Sequence, residues 1–140
     1  TMDKFIADIR KDYTLNGLAE QDVLEHPIKQ FKKWFDEAIV SEVHEPNGMI
    51  ISTINSDSRP SSRVVLLKGI DDLGLVFFTN YNSQKGQDML FNPFVALNFW
   101  WIELERQVRI EGKIDDRCDD RCEKRPQKKR MDLGGRFPRN

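Results

Sequence analysis

Three short stretches pair charged or amide side chains with strand-like or turn-like surroundings, and each suits a planar, phosphorylated ligand. The first is Arg63-Val64-Val65-Leu66-Leu67-Lys68, where two cations bracket an apolar strand. A cation beside a core is costly unless an anion meets it. A phosphate ester suits both ends, because a guanidinium grips it with two parallel hydrogen bonds and an ammonium adds a point charge. The alternative is that both ends simply reach solvent. The second stretch is Thr79-Asn80-Tyr81-Asn82-Ser83-Gln84-Lys85, where a strand ends and a helix begins at Ser83. Free N–H groups at a helix start make an anion site. Lys85 in the first turn opposes the helix dipole, a mild cost that points to an anionic partner. An ordinary strand–helix turn with a capping serine is the alternative. The third is Glu105-Arg106-Gln107-Val108-Arg109. Gln107 lies on the polar side of a strand, and its amide both donates and accepts, as reading a flat heterocycle requires. A solvated sheet face is the alternative. The adjacent Trp100-Trp101 pair reads as one core ring and one ring covering a ligand or a subunit interface.

Metal chemistry finds little support. Cys118 and Cys122 share a face if helical, but zinc needs four ligands, and His26 and His44 are distant in sequence. No metal site is expected. Glycine-rich nucleotide loops, zinc-protease helices and nucleophile elbows are absent from the sequence.

The elements that must position these residues follow from periodicity. Met2, Phe5, Ile6 and Ile9 fall at helical spacing within residues 2–13. Pro27 opens a second helix with Ile28, Phe31, Trp34, Phe35, Ala38 and Ile39 on one stripe. From residue 48 the pattern turns to strands: 49–54, 62–70, 75–80, 94–101 and 104–114. The continuous apolar centre of 62–70 predicts burial on both faces. A short helix over 83–92, stopped by Asn92-Pro93, interrupts the series. In the last strand Val108, Ile110 and Ile114 alternate with Gln107, Arg109, Glu111 and Lys113. The fold class expected is mainly β with flanking helices: a small antiparallel barrel of five strands.

The chain has 140 residues, 39% of them hydrophobic and 32% charged, which suits one globular domain rather than a disordered chain. No apolar run approaches the roughly eighteen residues of a bilayer span, and no charged-then-apolar leader opens the sequence. With only two cysteines, a reducing, cytoplasmic location is expected. The net charge of −1 argues against nucleic-acid binding and hides an asymmetry. Residues 1–112 hold 12 basic and 17 acidic residues, whereas 113–140 hold 10 and 6. The division expected is a folded body, 1–114, followed by a polar, basic and weakly ordered tail, 115–140.

Arg63–Lys68, Phe77-Phe78-Thr79-Asn80, Ser83-Gln84-Lys85-Gly86, Asn92-Pro93 and Leu104–Arg109 occur in an order and spacing that resemble the pyridoxine (pyridoxamine) 5′-phosphate oxidase family. Ile9–Tyr13 and the helix from Pro27 also fit, so the resemblance covers about residues 4–114. It implies an FMN-binding split β-barrel, incomplete at the C-terminus, and a homodimer with FMN at the interface. It implies oxidation of pyridoxamine or pyridoxine 5′-phosphate to pyridoxal 5′-phosphate, with O2 as acceptor. By matched position, Arg63 and Lys85 hold the FMN phosphate, Ser83 and Gln84 belong to the same cofactor-binding turn, and Val64, Val65, Leu66, Leu67 and Lys68 run beside the ring. Phe78 and Thr79 contribute from the next strand and Gln107 from the partner subunit. Lys68, Arg10, Tyr13 and Arg125 approach the substrate. No side chain is assigned a catalytic role, because the flavin carries the chemistry.

Two departures stand out. Gln84 replaces the family's usual arginine, which removes a charge-assisted contact and lowers FMN affinity by about an order of magnitude. Beyond residue 114, Arg125-Pro126 echoes the family's Arg-Pro segment, but the tyrosine before it and the later Arg-Leu-His motif are missing. The body therefore reads as an oxidase. The tail leaves open an FMN-binding module without turnover, or a truncated family member.

Overall fold

The computed structural model describes residues 6–9, 24–71, 74–79, 88, 91–115 and 127–132, with main chain only at 78–79, 115 and 127–132. Its centre is an antiparallel sheet of six strands: β1 (Gly48–Ile54), β2 (Pro60–Asp71), β3 (Gly74–Thr79), β4 (Phe94–Trp101), β5 (Arg106–Asp115) and β6 (Gln127–Asp132). Their order around the sheet is β1-β2-β3-β6-β5-β4, and β4 pairs back onto β1, so the barrel closes. The expected antiparallel barrel is therefore present, with one strand more than the periodicity predicts. Residues 127–132, assigned by sequence to a weakly ordered tail, form β6 between β3 and β5.

Alternation along the strands divides core from surface. Met49, Ile51 and Thr53 of β1 are buried, as are Val95, Leu97, Phe99 and Trp101 of β4 and Val108, Ile110 and Ile114 of β5. Residues between them face out, as period-two patterning requires. Strand β2 departs from expectation. Leu67 is buried, but Val64 is 72% and Leu66 40% exposed, so burial on both faces does not occur within one chain. The physical reason is that the described helix approaches β2 only at Leu67–Ile70, with which it lines a common cleft, and leaves Val64 and Leu66 uncovered.

That helix, α1 (Pro27–Val40), starts on Pro27 after an extended His26, as a proline at the first helical position favours. Ile28, Phe31 and Ala38 are buried and Trp34 and Phe35 pack against the core; Ile39, expected in the same stripe, is exposed. Phe31 meets Phe99 and Trp101 at ring-centroid distances of 5.0 and 6.2 Å. The Trp101 indole N–H donates to the Pro46 carbonyl at 2.9 Å, satisfying its polar edge inside the cluster. Arg106 clamps the helix from β5: Nη1 donates to Glu37 Oε2 at 2.7 Å, and its guanidinium lies 5.8 Å from the Trp34 ring centroid. Residues 102–104, partly assigned by sequence to a strand, form a 3-10 turn closed by Glu105 in the left-handed region.

At the N-terminus, residues 6–8 make one helical turn with Ile6 and Ile9 exposed, so these two members of the expected stripe bury nothing. The rest of that helix lies outside the described residues. No described helix is long and apolar enough to cross a membrane.

Candidate functional site

Strand β2 changes partners along its length. Pro60–Leu66 pair with Ile54–Gly48 of β1, whereas pairing with β3 begins at Leu67 and runs to Asp71. Among the described residues the second edge of β2 is therefore unpaired from 60 to 66, leaving a row of main-chain donors and acceptors. A register shift between Leu67 and Gly69 marks the switch, with Lys68 at the bulge. Bulges re-aim side chains, and Lys68 is exposed. It lines an open cleft of about 580 Å³ together with Lys32, Phe35, Asp36, Asn47 and Leu67.

Arg63 sits midway along the open edge. Its side chain is only 26% exposed, and Nη2 donates to Ser61 Oγ at 2.8 Å. The same nitrogen lies 3.9 Å from Asp88 Oδ2, and Asp88 is buried. The buried Thr53 hydroxyl donates to that same Oδ2 at 3.1 Å. A carboxylate taken out of water needs such partners. The anion expected to meet Arg63 is thus supplied in part by the chain's own Asp88, and the guanidinium does not simply reach solvent. Nη1 and Nε engage no other group among the described residues. Either can donate to a phosphate.

On the outer face, Val64 stands opposite Ile50, and Ile50 opposite Asn98 of β4. Trp100 pairs with Gln107 of β5. Ile50 is 43% and Trp100 63% exposed, so β2, β1 and β4 present an apolar band. The tryptophans divide as expected on the core side: Trp101 is buried and Trp100 is not. Asn98 Nδ2 donates to Gln107 Oε1 at 3.0 Å, which holds the Gln107 amide at the polar end of this band. Gln107 lies on β5, three strands from β2 in either direction around the closed barrel, and its side chain is exposed.

The site residues expected from sequence are thus partly brought together. Arg63, Val64, Val65, Leu66, Leu67 and Lys68 form one continuous edge. Phe78 and Thr79 lie on β3 opposite Lys128 and Gln127 of β6, described by main chain alone. Ser83, Gln84, Lys85, Arg10, Tyr13, Arg125, Cys118 and Cys122 lie outside the described residues. Asp88 and Asn98 were not singled out by sequence. Asp88 falls inside the expected helix 83–92, and its main-chain carbonyl accepts from Asn92 N–H at 2.8 Å. Nothing in helical periodicity marks it as a partner of β2.

These features fit FMN. The open β2 edge offers main-chain hydrogen bonds to a flat heterocycle, Arg63 offers two donors to a phosphate, and Val64, Leu66 and Trp100 offer apolar surface to a ring. Among the described residues no group of three or more His, Cys, Asp or Glu could hold a metal.

Comparison with known proteins agrees with this fold. A family model described as "Pyridoxamine 5'-phosphate oxidase" matches residues 35–132. A pyridoxine/pyridoxamine 5'-phosphate oxidase of Nostoc sp. is 58% identical over 81% of this chain and 53% of its own length. One from Cupriavidus necator is 54% identical over 78% of this chain and 51% of its own. The chain thus spans about half the length of the curated relatives it matches. Among solved structures, PhzG from Burkholderia lata, in complex with tetrahydrophenazine-1-carboxylic acid, superposes with a TM-score of 0.68 at 31% identity. That match covers 71% of this chain and 50% of PhzG. A pyridoxamine 5'-phosphate oxidase-related, FMN-binding protein of Nostoc punctiforme gives a TM-score of 0.57 at 17% identity, over 64% of this chain and 50% of its own. That likeness bears on the fold alone.

Proposed function

The chain belongs to the pyridoxamine 5′-phosphate oxidase family, and from that premise we propose that it forms the FMN-binding part of an oxidase. This oxidase converts pyridoxamine or pyridoxine 5′-phosphate to pyridoxal 5′-phosphate with O2 as acceptor. The observation that carries the reading is the edge of β2 left unpaired among the described residues, with the Arg63 guanidinium set beside it. Arg63 grips the FMN phosphate, aided by Ser83, Gln84 and Lys85. Main-chain groups from Val64 to Lys68 fix the plane of the ring, with Phe78 and Thr79 beside them. Lys68, aimed outward by its bulge, meets the substrate phosphate with Arg10, Tyr13 and Arg125. Gln107 serves the site of a partner subunit in a homodimer, since its own β2 is three strands away. Bound FMN supplies the two-electron acceptor chemistry. The protein supplies position, charge and exclusion of water.

A second reading is an FMN-binding module without turnover. It is favoured by the stretch before Arg125-Pro126, which lacks the tyrosine of the resembled family. One preparation separates the two. Purified chain is loaded with FMN, its visible spectrum recorded, and pyridoxamine 5′-phosphate added under air. Retained flavin with formation of pyridoxal 5′-phosphate supports the oxidase. Retained flavin without product supports the module. Protein that folds but retains no flavin overturns both.

A further inference from the structure

We propose that Asp88 is a positioning residue that sets the Arg63 guanidinium for a phosphate monoester. The inference rests on the reading of Arg63 as the FMN phosphate anchor. Asp88 is buried, and its Oδ2 takes the Thr53 hydroxyl at 3.1 Å while lying 3.9 Å from Arg63 Nη2. Thr53 is itself buried on the inner face of β1, so the carboxylate is fixed from a rigid strand rather than from a loop. Ser61 Oγ, two residues along β2, accepts from the same Nη2 at 2.8 Å. Two acceptors therefore converge on one corner of the guanidinium.

An arginine head is a flat fork. When one corner is held from inside, rotation about the last side-chain bonds is restricted and the opposite donors point in a set direction. An incoming phosphate then meets donors already oriented, and less rotamer freedom is lost on binding. The carboxylate also opposes the phosphate electrostatically, so the two effects compete. Ser61 supplies the directional hydrogen bond, and the Asp88 carboxylate, held by Thr53 at 3.9 Å from Nη2, draws that corner of the guanidinium inward. The role fits the selectivity required: a phosphorylated flavin gains from the oriented guanidinium, whereas riboflavin, which lacks the phosphate, gains nothing.

The test compares FMN with riboflavin on the full chain, by fluorescence quenching of each flavin. Asp88→Asn keeps the shape and an acceptor for Thr53 but removes the charge. It is expected to weaken FMN binding about five- to tenfold and leave riboflavin within twofold. In an Arg63→Ala background the same substitution should change neither ligand, because the group it positions is gone. Asp88→Glu restores the charge and should recover most of the FMN preference; it also serves if the Asn variant does not fold. If Arg63→Ala lowers FMN preference but Asp88→Asn leaves or raises it, the positioning role is wrong while the phosphate anchor stands. If Arg63→Ala itself leaves the preference unchanged, the anchor is wrong and the positioning role falls with it. Equal loss with Asp88→Glu and Asp88→Asn also overturns the proposal.

Discussion

Substituting Val64 by Lys separates folding from assembly. Val64 is 72% exposed on the outer face of β2, beside the exposed Ile50. Within one chain the change touches little, so the stability of the isolated fold should move by no more than about 0.5 kcal/mol. A homodimer that covers this face gives a different result. Burying a whole valine side chain is worth roughly 1.5–3 kcal/mol. The exposed fraction of Val64 then corresponds to about 1–2 kcal/mol per copy. A two-fold interface presents the same patch twice, so the loss is about 2–4 kcal/mol before any cost of burying an ammonium. That weakens the dimer roughly 30- to 1000-fold. Sedimentation velocity across a concentration series reads the association constant, and chemical denaturation of the dilute protein reads the fold. An unchanged association constant in Val64→Lys, or a wild-type chain that stays monomeric at high concentration, would refute the reasoning. The apolar band would then need another explanation.

Three further outcomes follow from the geometry. Phe99→Ala removes a fully buried ring set 5.0 Å from Phe31 and 5.7 Å from Trp101, and should cost about 3–5 kcal/mol by denaturant unfolding; a loss under about 1 kcal/mol would show that α1 does not dock on this cluster. Ser58→Gly relieves a left-handed backbone, φ 60°, in the β1–β2 turn and should raise stability by about 0.5 kcal/mol, seen as a higher melting temperature. Lys68→Ala, at an exposed bulge, should leave the melting temperature unchanged but raise the dissociation constant for pyridoxal 5′-phosphate about tenfold; unchanged titration would remove Lys68 from the substrate site.

How far the fold can be read from the residues depends on whether a segment carries its own pattern. Strand β5 alternates apolar and polar residues, β1 and β4 are β-rich apolar stretches bounded by turn residues, and the observed bounds of all three lie within two residues of those expected. The Pro27 start of α1 also has a local cause. Strand β2 misleads because Val64, Val65, Leu66 and Leu67 form an unbroken apolar run. A run of that kind signals two covered faces, yet one face is bare in the single chain. Part of the site is equally local: Arg63 and Lys68 stand out as cations flanking a strand. Asp88 does not, because its importance comes from Thr53 and Arg63, which lie 35 and 25 positions away in sequence. Asn98 is invisible for the same reason, since only the β4–β5 register brings it to Gln107.

The basic segment near the C-terminus makes the same point from the other side. Gln127-Lys128-Lys129-Arg130-Met131-Asp132 has one apolar residue and no alternation, so nothing in its composition predicts a strand. Yet β3 and β5 both need a neighbour. Leu75 and Ile114 are buried, and Met131 sits in register opposite both. Without β6 each of those strands would present an open ladder edge, which invites pairing with other chains. Main-chain hydrogen bonding alone can recruit a polar segment into such a gap, because the ladder asks for backbone donors and acceptors and only incidentally for side chains. The family match ends at residue 132, the last residue of β6. Residues 127–132 therefore pair within the barrel, although the expected body stops at residue 114. The barrel thus closes its β3 and β5 edges with an unpromising strand, whereas 60–66, beside Arg63, have no second strand partner among the described residues.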